Sequence, residues 1–399
     1  MSNFFDVIGS RLANAHSRAP DSRSKVFHCV CGQPVFLNNT HCLACDTQLG
    51  FDPERGEVLA IQPGRTPDTW VVAQSGTGAL APLPEYLRCA NLRTQAVCNW
   101  LLPETDWQSS HIFCLACRLN RTIPDLSIEQ NGERWRMLEA AKRRLVAQLL
   151  VLGLSVTPSM RPGDGGLAFD LIGPDALGNA PLTGHDAGLI TINVLEADDA
   201  YRAQLRADMH EPYRTLLGHF RHEVGHYYWD RLIYPTPWLA RFREVFGDER
   251  QDYAAALKTN YEDGPPADWA SRFISTYAAC HPWEDWAETW AHYLHMMDTL
   301  DTALSFGITT RVVECDYASF SRNVLYDPNA PDADEFLDLV NTWVELTGVL
   351  NELSRSMGQR DFYPFVLPHA VVGKLQFVHR VVKARSLALS AANQSDELP

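Results

Sequence analysis

Apolar positions along the chain change character near residue 125. Before it, short β-like runs such as "TWVVA" at 69–73 and "VFL" at 35–37 are separated by turn-forming residues. Pro124, Asn131 and Gly132 in "RTIPDLSIEQNG" mark the exit, ahead of "ERWRMLEAAKRRLVAQLLVLG" (133–153), which reads as a helix. From there on the pattern is mostly helical, with one clear strand in "GLITINVLEADD" (188–199), where β-branched apolar residues alternate with other residues. That strand is expected at a sheet edge, where it could pair with an extended chain, just ahead of a helix in "LLGHFRHEVGHYYWD" (216–230). A second long helix is expected within "SRFISTYAACHPWEDWAETWAHYLHMMD" (271–298), and the polar tail "SAANQSDELP" (390–399) should fray. The pattern predicts an α+β protein: a small β-rich domain over 25–125 and a mostly helical domain over 130–390. No internal repeat at solenoid periods is present.

With 399 residues, 46% of them apolar, the chain can bury a sizeable core and should form two domains. No apolar run approaches the roughly 18 residues of a membrane span, and "MSNFFDVIGSRLANAHSRAP" lacks the features of an export signal, so a cytoplasmic location is expected. The formal charge is −15, from 34 Lys+Arg and 49 Asp+Glu. Residues 1–125 hold 10 and 11 of these, leaving 24 and 38 for the rest, a balance of −14. Neither part offers a basic face, so nucleic acid and anionic membrane are not expected as partners.

The ten cysteines lie in close pairs, a pattern of metal sites more than of disulfides in a chain of this size. Cys29-x-Cys31 and Cys42-x-x-Cys45 are separated by ten residues containing the "VFL" hairpin strand. Two such knuckles place four thiolates around one Zn²⁺, the arrangement of a zinc ribbon. Cys89, Cys98, Cys114 and Cys117 form a second set, although the eight-residue gap between Cys89 and Cys98 also allows these two to be buried apolar thiols. His28 and His41 flank the first knuckles and are alternative ligands, while Cys280 and Cys315 are expected in the core.

His222-Glu223-Val224-Gly225-His226 stands in the first long helix. Both imidazoles lie one turn apart on one face and can reach a single ion, and Glu223 can take a proton from water there. A third ligand is needed. Glu284 and Glu288, one turn apart among Trp283, Trp286, Ala287, Trp290 and Ala291, supply it: a buried carboxylate is costly without a cation, and one can ligate zinc while the other orients a ligating histidine. A solvated stripe of Glu284, Asp285 and Glu288 is the competing reading. His219 and Tyr228 are near enough in sequence to line the site, "DFYPFVL" (361–367) is a pocket wall or core, and His292 and His295 are expected to pack.

With the ribbon cysteines, "HFRHEVGHYYWD" and "HPWEDWAETWAHYLH" on the page, nearly the whole chain resembles the bacterial zinc-binding metallopeptidases that carry an N-terminal zinc ribbon, a gluzincin-like group. The resemblance implies a zincin-like helical domain and a zinc-dependent hydrolase that cleaves peptide bonds. In gluzincins with Glu-x-x-Ala-Glu, the first Glu is the ligand and a Tyr seven residues earlier assists the transition state. Here that implies Glu284 as third ligand with His222 and His226, Glu288 as the residue orienting a ligand, and Glu223 and Tyr277 as catalytic residues. His292, four residues after Glu288, leaves the reverse assignment of the two glutamates open. One catalytic and two structural Zn²⁺ are expected, with a peptide or protein as substrate. A zinc hydrolase of non-peptide amides would use the same residues, and a non-catalytic zinc-ribbon interaction protein would leave Glu223 idle. Oligomeric state and substrate are not legible.

Overall fold

The computed structural model describes residues 3–13, 25–73, 84–175, 177–208, 213–310, 313 and 318–395. The described residues pack as two compact units, Asp21–Val151 with Ser155–Gln204 in one, and Met1–Pro20, Leu152–Leu154 and Leu205–Pro399 in the other. The chain opens with helix α1 (Phe4–Ala13), which belongs to the second of these.

The first unit begins with a hairpin, β1 (Phe27–His28) against β2 (Pro34–Val35), folded around the first knuckle. An antiparallel sheet follows in the order β3 (Gln48–Asp52), β4 (Glu57–Pro63), β5 (Trp70–Val72). The pair β6 (Leu87–Arg88) and β7 (Leu101–Leu102) comes next. Leu59, Ile61, Tyr86 and Leu101 make the core between them. Gly50 is required here, because a Cβ at that position would stand 2.5 Å from Leu101 Cδ2. The region is not wholly β: the short helices α2 (Glu104–Gln108) and α3 (Leu115–Arg118) follow, and α3 carries Cys117.

Strand β8 (Asn120–Thr122) leads to α4 (Asn131–Val151), whose Trp135, Leu138, Leu145, Val146 and Leu149 recur at helical spacing and are buried. Asn131 and Gly132 are thus the first residues of the helix and not a break ahead of it; Asn131 Nδ2 donates to the Asp125 carbonyl at 3.0 Å. Strands β9 (Ala168–Ile172), β10 (Gly184–Asp186) and β11 (Leu189–Asn193) join β8 in a mixed sheet of order β10-β11-β9-β8. The strand predicted over 188–199 is β11, with Ile190 and Ile192 buried, but it is interior and not an edge. Its backbone pairs antiparallel with β10 on one side and parallel with β9 on the other, so it has no free ladder for a peptide. The two-residue turn at Ala187 and Gly188, both at positive φ, folds β10 back onto it.

Helix α5 (Asp199–Asp208) stands at the join, and the second unit is helical from there: α6 (Leu216–Leu232), α7 (Trp238–Val245), α8 (Tyr253–Asp263), α9 (Trp269–Arg272), α10 (Pro282–Ser305), α11 (Ala333–Ser356) and α12 (His369–Ser395). Thr215 caps α6 by accepting from Gly218 N at 3.0 Å. His281 caps α10 through Nδ1, accepting from Trp283 N at 3.1 Å, and Pro282 opens the helix. α6 and α10 are buried on most of their surface and cross at Gly225, where an added Cβ would lie 3.0 Å from Ala287 Cα. Trp286 Nε1 donates to the Gly225 carbonyl at 2.8 Å and fixes the crossing. α12 runs to Ser395, so the tail's backbone is helical over 390–395, and the rest of the tail lies outside the described residues. Among the described residues, no helix is long and apolar enough to cross a membrane.

Candidate metal centres

Among the described residues, three groups of side chains converge closely enough to hold an ion, each with its ligand atoms within 4.8 Å of one another. The first is Cys29, Cys31, Cys42 and Cys45. The left-handed residues Gly32 and Asp46, just after each pair, turn the two knuckles toward one another. Cys29 Sγ lies 3.5 Å from Cys45 Sγ, and Cys31 Sγ 3.7 Å from Cys42 Sγ. Sulfurs held about 2.3 Å from a common tetrahedral ion would be separated by about 3.8 Å. Cys31 and Cys45 are exposed; His28 and His41 are not in the group.

The second is Cys89, Cys98, Cys114 and Cys117, all buried. A 3₁₀ turn at Ala90–Arg93 spans much of the long gap and brings Cys98 Sγ within 3.6 Å of Cys114 Sγ. Cys114 N donates to Cys89 Sγ at 3.4 Å. Cys89 and Cys98 are therefore buried, but together with the other pair and not as isolated apolar thiols. Cys280 is half-buried instead of a core residue, its thiol pushed up to about 12 by burial and then by the nearby Glu284 charge. Cys315 lies outside the described residues.

The third joins α6 to α10. His222 Nε2 stands 3.0 Å and His226 Nε2 3.4 Å from Glu284 Oε2. That oxygen is buried and makes no hydrogen bond of ordinary geometry, so it faces the imidazoles as an unsatisfied acceptor. Two imidazole nitrogens and one carboxylate oxygen form the donor set that suits Zn²⁺ with a coordination position left over. Behind it, His222 Nδ1 meets Glu288 Oε1 at 2.8 Å, and Ser275 Oγ donates to Glu288 Oε2 at 2.7 Å. Tyr253 Oη donates to Glu284 Oε1 at 2.7 Å. Glu284 and Asp285 are buried, which removes the solvated-stripe reading; Asp285 instead pairs with Lys374 of α12 at 2.6 Å.

The electrostatics favour a cation at this point. Burial opposes a charged His222, yet its contacts with Glu284 and Glu288 outweigh burial and hold its pKa well above the usual imidazole range. Burial likewise opposes an ionised Glu284, but His226 and His222 hold its carboxyl well below the ordinary value. Glu223, beside both histidines and 8% exposed, has its carboxyl pushed up by burial. The Tyr277 ring lies 5.9 Å from that of His222, and Trp283 packs 4.0 Å from the His226 ring.

Other residues singled out in the sequence fall elsewhere. Tyr228 stacks on Trp290 at 5.1 Å in the core. His292 Nδ1 and the Tyr363 hydroxyl are 2.6 Å apart, which makes "DFYPFVL" core at Tyr363, while Phe362 and Val366 are exposed. His295 Nδ1 lies 2.6 Å from Arg221 Nη1. His219 is half-buried one turn before His222. Tyr253 and Ser275 were not legible as site residues: neither stands at a motif spacing, and each reaches its carboxylate only through the fold.

Residues 131–381 match the family described as "Putative zinc-binding metallo-peptidase". The chain belongs to that family. Residues 26–128 match a zinc-ribbon domain, so zinc binding, the β-rich N-terminal part and the helical C-terminal part agree with what the motifs and the resemblance imply. The chain is 42% identical over 358 residues to uncharacterized proteins of Mycobacterium bovis and Mycobacterium tuberculosis, covering 89% of its own length and 94% of theirs. No solved structure matches it. The metallopeptidase match begins at the first residue of α4, within the unit that also holds the ribbon, and continues through the helical unit.

Proposed function

We propose that this family member is a gluzincin-like zinc peptidase that reacts at His222, His226 and Glu284. The observation that carries the reading is the convergence of His222 Nε2, His226 Nε2 and the unsatisfied Glu284 Oε2, with the Glu223 carboxyl buried alongside. A zinc ion held there would acidify the attacking water and polarise the scissile carbonyl. Glu223 accepts the proton of that water on its carboxylate and returns it to the leaving amine nitrogen; its raised pKa suits a group that must both take and give a proton. Glu288 holds His222 through Nδ1, so that Nε2 is the nitrogen free to ligate. Tyr277 donates its phenolic proton as a hydrogen bond to the developing oxyanion, a contribution of roughly 3 kcal/mol where such donors have been removed.

The eight convergent thiols hold two further zinc ions in closed sites that staple the ribbon region, three ions per chain in all. Sites built from thiolates favour a reducing compartment, in keeping with a cytoplasmic location. The net charge of −15 disfavours nucleic acid and anionic membrane, and the resemblance to metallopeptidases favours a peptide or protein as substrate. Digestion of a peptide library by the full chain, before and after mild chelation and zinc re-addition, tests this. Internal peptide bonds should be cut, the cutting lost on chelation and restored by zinc. An enzyme with its zinc complete that cuts no peptide would point to a non-peptide amide or to an interaction role.

A further inference from the structure

Glu284 and Glu288 each have one oxygen turned toward a histidine and the other held by a hydroxyl from outside α6 and α10. Ser275 holds Glu288 in this way, and Tyr253 holds Glu284. We propose that Tyr253 is a positioning residue for the zinc ligand Glu284, brought to it by α8; the proposal rests on the zinc-site reading above.

Tyr253 is not held in place by a buried helix face. It is 37% exposed and opens α8, a helix with no buried residue, yet its hydroxyl reaches a carboxylate that is 1% exposed. Asp252 caps α8 by accepting from Ala255 N at 3.0 Å, which fixes the direction in which the first helical side chain leaves. His281 Nε2 lies 3.3 Å from the Gln251 carbonyl, tying the approach to α8 to the N-terminus of α10, where Glu284 sits one turn in. The Tyr253 ring meets His281 and Trp283 edge-on, at 5.3 and 6.0 Å.

The consequence is chemical. A carboxylate free at both oxygens can swing, or offer both to an ion. With Oε1 engaged by a phenol at 2.7 Å, Glu284 presents Oε2 alone, on the side of His222 and His226. Neutral phenol donation also leaves the full negative charge available to the cation.

The test uses the full-length protein and zinc alone. The dissociation constant of the helical site is measured by competition with a chromogenic chelator for wild type, Tyr253→Phe and Glu284→Ala. Tyr253→Phe keeps the ring and removes only the donor, so the protein emptied at its helical site alone should stay folded, its thermal midpoint falling by no more than the loss of one hydrogen bond. Its zinc affinity should fall about 10- to 100-fold, the usual cost of losing a partner behind a ligand. Wild-type zinc affinity in Tyr253→Phe while Glu284→Ala loses its zinc would overturn the role given to Tyr253 and leave the zinc site standing. Glu284→Ala binding zinc as wild type does would instead overturn the site itself, and this proposal with it.

Discussion

His222 and Glu288 are joined at the imidazole nitrogen that points away from Glu284: Nδ1 lies 2.8 Å from Oε1, while Nε2 faces Glu284. This divides the labour of two glutamates one helical turn apart. Glu284→Ala should leave two protein ligands and abolish zinc binding at the helical site. Glu288→Ala should leave the ligands in place and weaken binding about 10- to 100-fold. Zinc titration of both variants decides; retention in Glu284→Ala with loss in Glu288→Ala would exchange the roles and remove the spacing that nominates Tyr277.

The three metal groups differ in access, so chelation should empty them in sequence. On the reading proposed above, zinc at the helical site would have a coordination position free for an incoming chelator, so this site should lose it first. The ribbon set with Cys31 and Cys45 exposed should follow, and the set whose four thiols are all buried should be last. Time-resolved zinc release under a fixed chelator excess should show three phases, and variants with Cys29 and Cys45 or Cys89 and Cys98 changed to Ser should delete the second or the third. A single phase coinciding with unfolding would contradict the ordering.

Gly225, inside the His222–His226 stretch, is fixed by packing. Gly225→Ala gains about 1 kcal/mol of helix propensity. It also drives a methyl against the Ala287 backbone at 3.0 Å, an overpacking that costs typically 1–3 kcal/mol. Because α6 carries both histidines and α10 carries Glu284, parting the helices should weaken zinc binding as well as lower the urea midpoint. A variant more stable than wild type, with full zinc affinity, would show that the crossing has slack.

His379 predicts a pH dependence remote from the metal. It is fully buried against Tyr293 and Phe5, and burial, then Lys383 and Arg380, push its pKa down to about 3. In the unfolded chain it takes a proton near about pH 6.5. Below that pH the unfolded state therefore binds a proton that the folded state refuses, so stability falls as pH drops from about 6.5 toward about 3, by at most about 1.4 kcal/mol per unit. His379→Gln should flatten this part of the slope, read as the difference in urea midpoint between about pH 7.5 and about pH 5. An unchanged slope would mean that other groups carry it.

Much of the site was legible because its chemistry is local. Cysteine pairs two or three residues apart and histidines four apart on a helix declare their geometry in the sequence, and the tryptophans around Glu284 and Glu288 point to a buried carboxylate there without deciding which of the two it is. What was not legible depends on contacts distant in the chain. Tyr253 finds Glu284 across 31 residues, and Lys374 reaches Asp285 from α12. β11 is readable as a strand from its alternation, but its interior position is not, because β9 is buried on both faces and does not alternate and β10 is only three residues long. Helix α1, with Phe5 and Ile8 buried, is only ten residues long, too few turns for its apolar period to stand out in the sequence.

The most direct test of the central claim is Glu223→Gln, with zinc content and peptide hydrolysis measured on the same preparation. Gln fills the same volume beside His222 and His226 but cannot accept the proton. Zinc at the helical site should stay near full occupancy while hydrolysis falls by about 10²- to 10⁴-fold. A variant that holds its zinc and hydrolyses peptide as fast as wild type would contradict the account, leaving the zinc of His222, His226 and Glu284 a structural ion.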